Sequence, residues 1–160
     1  MKSLLLVIDL QKSFINEHTK DIPKLIKELV DKNKYNSYVF TKFINDENSR
    51  WYKDLRYEGC ITAEDRALVI DTKGHPVFSK KTYTSLTDEL REYIKENNID
   101  VIYICGIDTD ACVLKTALDL FDNNYNVKVL KNYCSSHAGV KAHQNAIEIL
   151  KRLIGENNIV

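Results

Sequence analysis

The chain carries no surplus of charge, since its 23 lysines and arginines balance 23 aspartates and glutamates. Without a global field, nucleic acid and anionic membrane surfaces are not expected partners. Its four cysteines, Cys60, Cys105, Cys112 and Cys134, form no CxxC pair. Its four histidines, His18, His75, His137 and His143, show neither HxxxH nor HExxH spacing. A zinc cage, a disulfide framework and a resident cofactor are therefore not expected, and free thiols fit a reducing cytoplasm. No apolar run reaches the roughly 18 residues that a membrane-spanning helix needs. The apolar run in MKSLLLVIDLQKSF contains Asp9 and meets no small-residue cleavage site, so it reads as a buried strand rather than a signal peptide. It is followed by no glycine-rich phosphate loop. Internal repeats, low-complexity tracts and linkers are missing as well. One domain over residues 1–160 is the expected organisation.

What is present is a regular alternation of two periods. LLLVID, SYVFTKF, HPVFSK, IDVIYIC and NVKVL are apolar segments of strand length, as expected where helices cover both faces of a parallel sheet. Between them lie helical patterns. In DIPKLIKELV the apolar positions are Ile22, Leu25, Ile26, Leu29 and Val30; in SLTDELREYIKEN they are Leu86, Leu90, Tyr93 and Ile94. TDACVLKTALDLFDN reads as a helix, and GVKAHQNAIEILKRLI as another with Ala142, Ala146, Ile149, Leu150 and Leu153 stacked. NNIV is read either as a short sixth strand or as a fraying end. Residues 44–75 have no sustained period and are long for a connection, which predicts a partly ordered excursion near a binding site. Alternating strands and helices predict an α/β fold: three α/β/α layers around a mainly parallel sheet of five or six strands, Rossmann-like.

In such a sheet, ligands sit beyond the carboxyl ends of the strands, where the strand order reverses. Asp9, Lys80 and Cys112 all fall at such ends. Asp9 stands among Ile8 and Leu10, where an unpaired charge would be expensive to bury. A lysine is ordinarily a surface residue, so Lys80 gains meaning only from the constellation, and its neighbour Lys81 stays open. Cys105, inside a strand, reads as core. Cys112 instead opens a helix, where unpaired amides and the dipole are expected to lower its pKa and favour the thiolate.

The blocks LLVIDLQKSF, SKKTYTSL and GIDTDACVLKTALDLFDNNYNVKVL, in that order, resemble the isochorismatase-like cysteine hydrolases, a superfamily of nicotinamidases, carbamoylsarcosine amidohydrolases and isochorismatases. The likeness runs from Leu4 to about Leu153, and its most specific part is the Gly106, Thr109, Asp110, Cys112, Val113 pattern. The resemblance implies a catalytic triad of Asp9, Lys80 and Cys112, with Lys80 favoured because it stands three residues before Tyr83, an aromatic followed by Thr84. It implies a cis Ile107–Asp108 bond and an oxyanion hole made by the amides of Asp108 and Cys112. Gln11, Phe14, Tyr83 and Asp108 are the implied substrate contacts. A homodimer or homotetramer is implied too, acting on a small molecule.

The chemistry implied is attack by the Cys112 sulfur on a carbonyl, with Asp9 taking the thiol proton, Lys80 supplying supporting charge, and water releasing the thioester. TKFINDENS stands where nicotinamidases carry an aspartate and histidine metal cluster, so metal-assisted pyridine binding is not expected. Isochorismatases cleave a vinyl ether and need no thiol, so Cys112 points to an amide, ureide or related C–N carbonyl substrate. The Asp108 side chain is expected either to bind a cationic or donor group or to face solvent. Packing or subunit contact explains His143 and His137 as well as catalysis does. Phe43, Trp51, Tyr52 and Tyr57 are expected to be core or to wall the pocket. The rivals are an isochorismatase-type hydrolase, a non-enzymatic small-molecule-binding or regulatory module on the same fold, and a flavodoxin-type protein, which the absent phosphate loop disfavours.

Overall fold

A computed structural model describes residues 1–160. Five parallel strands form one sheet: β1 (Ser3–Ile8), β2 (Ser37–Phe43), β3 (Val77–Lys80), β4 (Val101–Ile107) and β5 (Val127–Ser135). Their spatial order is β3-β2-β1-β4-β5. The central strands are apolar throughout because both faces are covered; Leu4, Leu5, Leu6 and Ile8 are completely buried. The order reverses beside β1, where chain connections leave in opposite directions and open a crevice above the carboxyl ends of β1 and β4.

Six helices surround the sheet: α1 (Ile22–Asp31), α2 (Arg50–Leu55), α3 (Ala63–Arg66), α4 (Asp88–Glu96), α5 (Leu114–Asp122) and α6 (Val140–Ile154). Together they complete the three-layer α/β/α architecture. α1 packs against β4 and β5, while α5 and α6 pack on each other and on β5. The apolar stripe of α1 explains its docking, since Ile22, Ile26, Leu29 and Val30 are buried. None of the helices is long and apolar enough to cross a membrane.

Three details depart from the sequence reading. β5 continues beyond Leu130 to Ser135, although its second half mixes polar and apolar residues. It is an edge strand, so the part-exposed Lys131 and the exposed Asn132 cost it little. On α6 the buried side chains are Ala146, Ile147, Leu150 and Ile154, whereas Ile149 and Leu153 are 44% and 49% exposed. The core-facing stripe is thus rotated away from the one expected. The C-terminal segment adds no full strand: Ile159 makes a single parallel bridge to Val129 after a 3-10 turn at Glu156–Asn158.

The excursion of residues 44–75 is held in place by specific bonds. Ser49 caps α2 by accepting from Tyr52 N–H at 3.0 Å, and Arg56 ends it in a left-handed conformation. Arg66 donates to Cys60 O at 2.8 Å and Asn45 O at 3.0 Å, and Leu68 bridges antiparallel to Gln11. These contacts fold the excursion over the carboxyl ends of β1 and β2 as a wall.

Candidate active site

Asp9 follows β1 in a left-handed conformation and is fully buried. Its Oδ1 accepts from Thr41 Oγ at 2.7 Å, and its own N–H donates to the same hydroxyl at 3.2 Å. Thr41 lies on the neighbouring strand β2 and receives a further long contact from Ser85 Oγ at 3.5 Å. Sequence reasoning missed Thr41; its only signal was a hydroxyl directly after the apolar Val39 and Phe40.

Lys80 ends β3 and reaches across Phe43 of β2 into the crevice. Its Nζ lies 2.7 Å from Asp9 Oδ2 and 3.5 Å from Cys112 Sγ. It also donates to Thr82 O at 2.8 Å and Tyr83 O at 3.2 Å. The ammonium is therefore surrounded by acceptors and sealed from water. Burial alone would lower its pKa, but the Asp9 charge, with the hydrogen bonds to Asp9 and Cys112, outweighs that and raises it, so Lys80 is a fixed cation. Lys81 points away, 71% exposed, to a loose pair with Asp46. Apart from the Lys80 charge beside it, Asp9 Oδ2 has no partner in hydrogen-bond geometry.

Cys112 lies in a π-helical turn, Thr109–Val113, that joins β4 to α5. The turn is built on Asp108, whose carbonyl accepts from Ala111 N–H at 3.2 Å and Val113 N–H at 3.0 Å. The Ile107–Asp108 peptide bond is cis. Wider turns of this kind occur often at functional sites. Burial pushes the Cys112 thiol well above its usual pKa; the Asp9 charge adds to the rise and the Lys80 charge opposes it. This corrects the expectation of a lowered pKa. Desolvation of a sulfur walled into the crevice outweighs the helix terminus, so the resting sulfur is S–H, with Asp9 as the adjacent anion.

A pocket of about 270 Å³ opens onto Cys112. Phe14, Phe43, Trp51, Leu55, Tyr57 and Tyr83 form its apolar walls, and Asp108, Asp110 and His137 its charged ones. Phe14 and Tyr57 stack in parallel at 6.0 Å, while Trp51 bridges Phe43 and Tyr83 at 5.2 and 5.1 Å. Tyr52 does not line it. The Asp108 side chain neither faces solvent nor stands free: Oδ1 accepts from His137 N–H at 2.8 Å, and Oδ2 pairs with the His137 ring at Nδ1. That hydrogen bond raises the His137 pKa against the opposing effect of burial. His143, on α6, meets Thr109 Oγ at 2.7 Å, and burial lowers its pKa.

Gln11 is the substrate-contact expectation that the structure corrects. Its amide is completely buried, donating to Phe43 O at 2.9 Å and Arg66 O at 3.1 Å and accepting from Phe43 N–H at 2.7 Å. With both amide hydrogens and its oxygen engaged by backbone, Gln11 splices β1 to β2 and to the excursion and does not line the pocket.

The position after β2 does not suit a metal. Asn45 donates to Tyr57 O and Gly59 O, and Asp46 accepts from Asn48 N–H and faces Lys81. No group of three or more His, Cys, Asp and Glu side chains is assembled to hold an ion.

The Isochorismatase domain model matches residues 3–157. Among curated proteins, isochorismatase family protein 2A of Dictyostelium discoideum is 36% identical over 78 residues, covering 48% of this chain and 38% of that protein. Isochorismatase domain-containing protein 2 of Xenopus laevis is 39% identical over 64 residues, 39% of this chain and 31% of that one. The matched stretches thus span about a third of these relatives. Among solved structures, a nicotinamidase from Bacillus subtilis superposes with a TM-score of 0.86 at 22% identity, covering 100% of this chain and 99% of its own. An N-carbamoylsarcosine amidase from Thermoplasma acidophilum gives 0.81 at 20% identity over 97% and 94% of the two chains. At such identities the structural likeness speaks for the fold. From the family match across nearly its whole length, the chain belongs to the isochorismatase domain family.

Proposed function

We propose that the protein hydrolyses a small amide, ureide or related C–N carbonyl compound through a thioester on Cys112. The observation that carries this reading is the Lys80 ammonium, 2.7 Å from Asp9 Oδ2 and 3.5 Å from Cys112 Sγ at the floor of a small pocket. An acid, a cation and a thiol buried together have no simpler use, because a charge pair beside a thiol contributes little to packing.

In this reading Asp9 Oδ2, unbonded by any hydroxyl or amide, takes the thiol proton as Sγ attacks the carbonyl carbon. The negative charge moves from carboxylate to substrate oxygen while Lys80 stays fixed beside both. The amides of Asp108 and Cys112 receive the oxyanion, each such donor contributing about 3–4 kcal/mol in comparable sites. The leaving nitrogen takes the proton back from Asp9. Water, deprotonated by Asp9, then opens the thioester to the acid and restores the thiol. Thr41 is the positioning residue that aims Asp9. No metal enters any step.

Self-association through the exposed apolar side of α6, around Ile149 and Leu153, belongs to the same proposal. The deciding experiment measures ammonia release from a panel of small amides and ureides with the intact protein and with Cys112→Ala. Release that needs Cys112 supports the mechanism, and release retained by Cys112→Ala removes it.

A further inference from the structure

The polar lining of the pocket is uneven in charge. No lysine or arginine lines it. Lys80, below it, is only 1% exposed and already faces Asp9, two carbonyls and the thiol. Asp108 and His137 neutralise each other through two contacts. Asp110 remains: it lines the pocket, and its Oδ1 is shielded from solvent with no hydrogen-bond partner. No donor offsets the negative charge on that oxygen, so Asp110 presents it to the pocket uncompensated. The pocket walls carry five aromatic rings, whose faces suit a flat apolar body and attract a cation but not an anion.

We propose that the pocket selects a flat carbonyl compound that is neutral or cationic, and that the uncompensated charge of Asp110 excludes substrates carrying a carboxylate. Asp110 is the discriminating residue. The location of the reacting carbonyl rests on the proposed hydrolase function, whereas the charge preference is a property of binding alone. A substrate carboxylate would approach Asp110 with no free cation to offset it, a repulsion that low-dielectric walls strengthen.

Trp51 is the chain's single tryptophan and lines the pocket, so its fluorescence reports occupancy. The ligands are three amides on one benzamide scaffold that differ in charge: benzamide, 4-(aminomethyl)benzamide and 4-carbamoylbenzoate. They are titrated into Cys112→Ala, which prevents turnover. The neutral and cationic members are expected to bind at least about tenfold more tightly than the carboxylate. Asp110→Asn is expected to narrow that ratio by roughly threefold or more. A carboxylate that binds as well as benzamide overturns the proposal, as does a ratio unchanged in Asp110→Asn or no binding by any of the three. If Asp110→Asn does not fold, Asp110→Ser replaces it, and the titration with Asp110 in place still decides the charge order. Binding in the expected order without ammonia release from the intact protein refutes the hydrolase function and keeps this inference. Cys112-dependent release without charge preference does the reverse.

Discussion

The Lys80 ammonium stands 2.7 Å from Asp9 Oδ2, with both side chains essentially sealed from solvent. Removing one partner of such a pair leaves the other charge buried and uncompensated, which typically destabilises by about 3–5 kcal/mol. Lys80→Ala is therefore expected to lower the melting temperature by roughly 6–20 °C and to abolish turnover. Lys81→Ala, which loses only an exposed contact to Asp46, should change stability by less than about 0.5 kcal/mol. Denaturant unfolding of the two variants side by side checks this. Equal losses would mean that the pair contributes nothing particular to the fold.

Cys112 is a buried thiol raised above its usual pKa, and that fixes how it responds to pH. Below its pKa the thiolate fraction grows about tenfold per pH unit, so alkylation by iodoacetamide should climb continuously from about pH 7 to pH 9. Cys112 should still be labelled before Cys60, Cys105 and Cys134, because it alone lines the pocket while all four are buried. Mass spectrometry of peptides sampled at several pH values reads both the order and the slope. A rate that levels off near pH 6 would identify a preformed thiolate and reverse the protonation argued above.

The sequence made the strand ends legible because chemistry and hydrophobicity contradict each other there. Asp9 interrupts an apolar run, and Cys112 follows one across a glycine turn, so each marked itself as misplaced for packing. The pocket walls carried no such contradiction. Trp51 and Tyr57 sit in a segment without period, and their position depends on caps at Ser49 and Thr62 and on the reach of Arg66. Thr41 was hidden for another reason. Its bond to Asp9 follows from the register of β1 against β2, which a parallel sheet sets through distant contacts. The α6 face was misjudged because Ile147 and Ile154 compete with Ile149 and Leu153 for the same stripe, and periodicity alone cannot rank them.

The Asp108–His137 pair makes stability depend on pH in a defined direction. Hydrogen bonding to Asp108 raises the His137 pKa above its ordinary 6.5, despite burial. A raised folded-state pKa contributes stability that is fully present below the unfolded value and is lost as pH rises through the folded value. The margin between the unmodified protein and Asp108→Asn should accordingly be widest below about pH 6.5 and shrink towards alkaline pH. Thermal unfolding across that range measures it. A margin as large at about pH 9 as at pH 5.5 would show that Asp108 stabilises the turn without the histidine charge.

Gly106 is where the fold and the site depend on one missing atom. It has φ +124, a conformation side chains rarely adopt, and a Cβ built there would lie 2.1 Å from Ile8 O on β1. Both effects act on the strand pair that holds Asp9 and the Cys112 turn at the same level, since Ile8 is the register partner of Gly106. Gly106→Ala must push β4 away from β1 or break the ladder, and a destabilisation above about 4 kcal/mol is expected. Gly74→Ala, which shares a positive φ but has no atom within 4 Å of the added methyl, separates conformational strain from the clash. It should lose far less, in the range of about 1–2 kcal/mol. If circular dichroism melts place the two variants together, the close approach of β1 and β4 does not govern stability at this point.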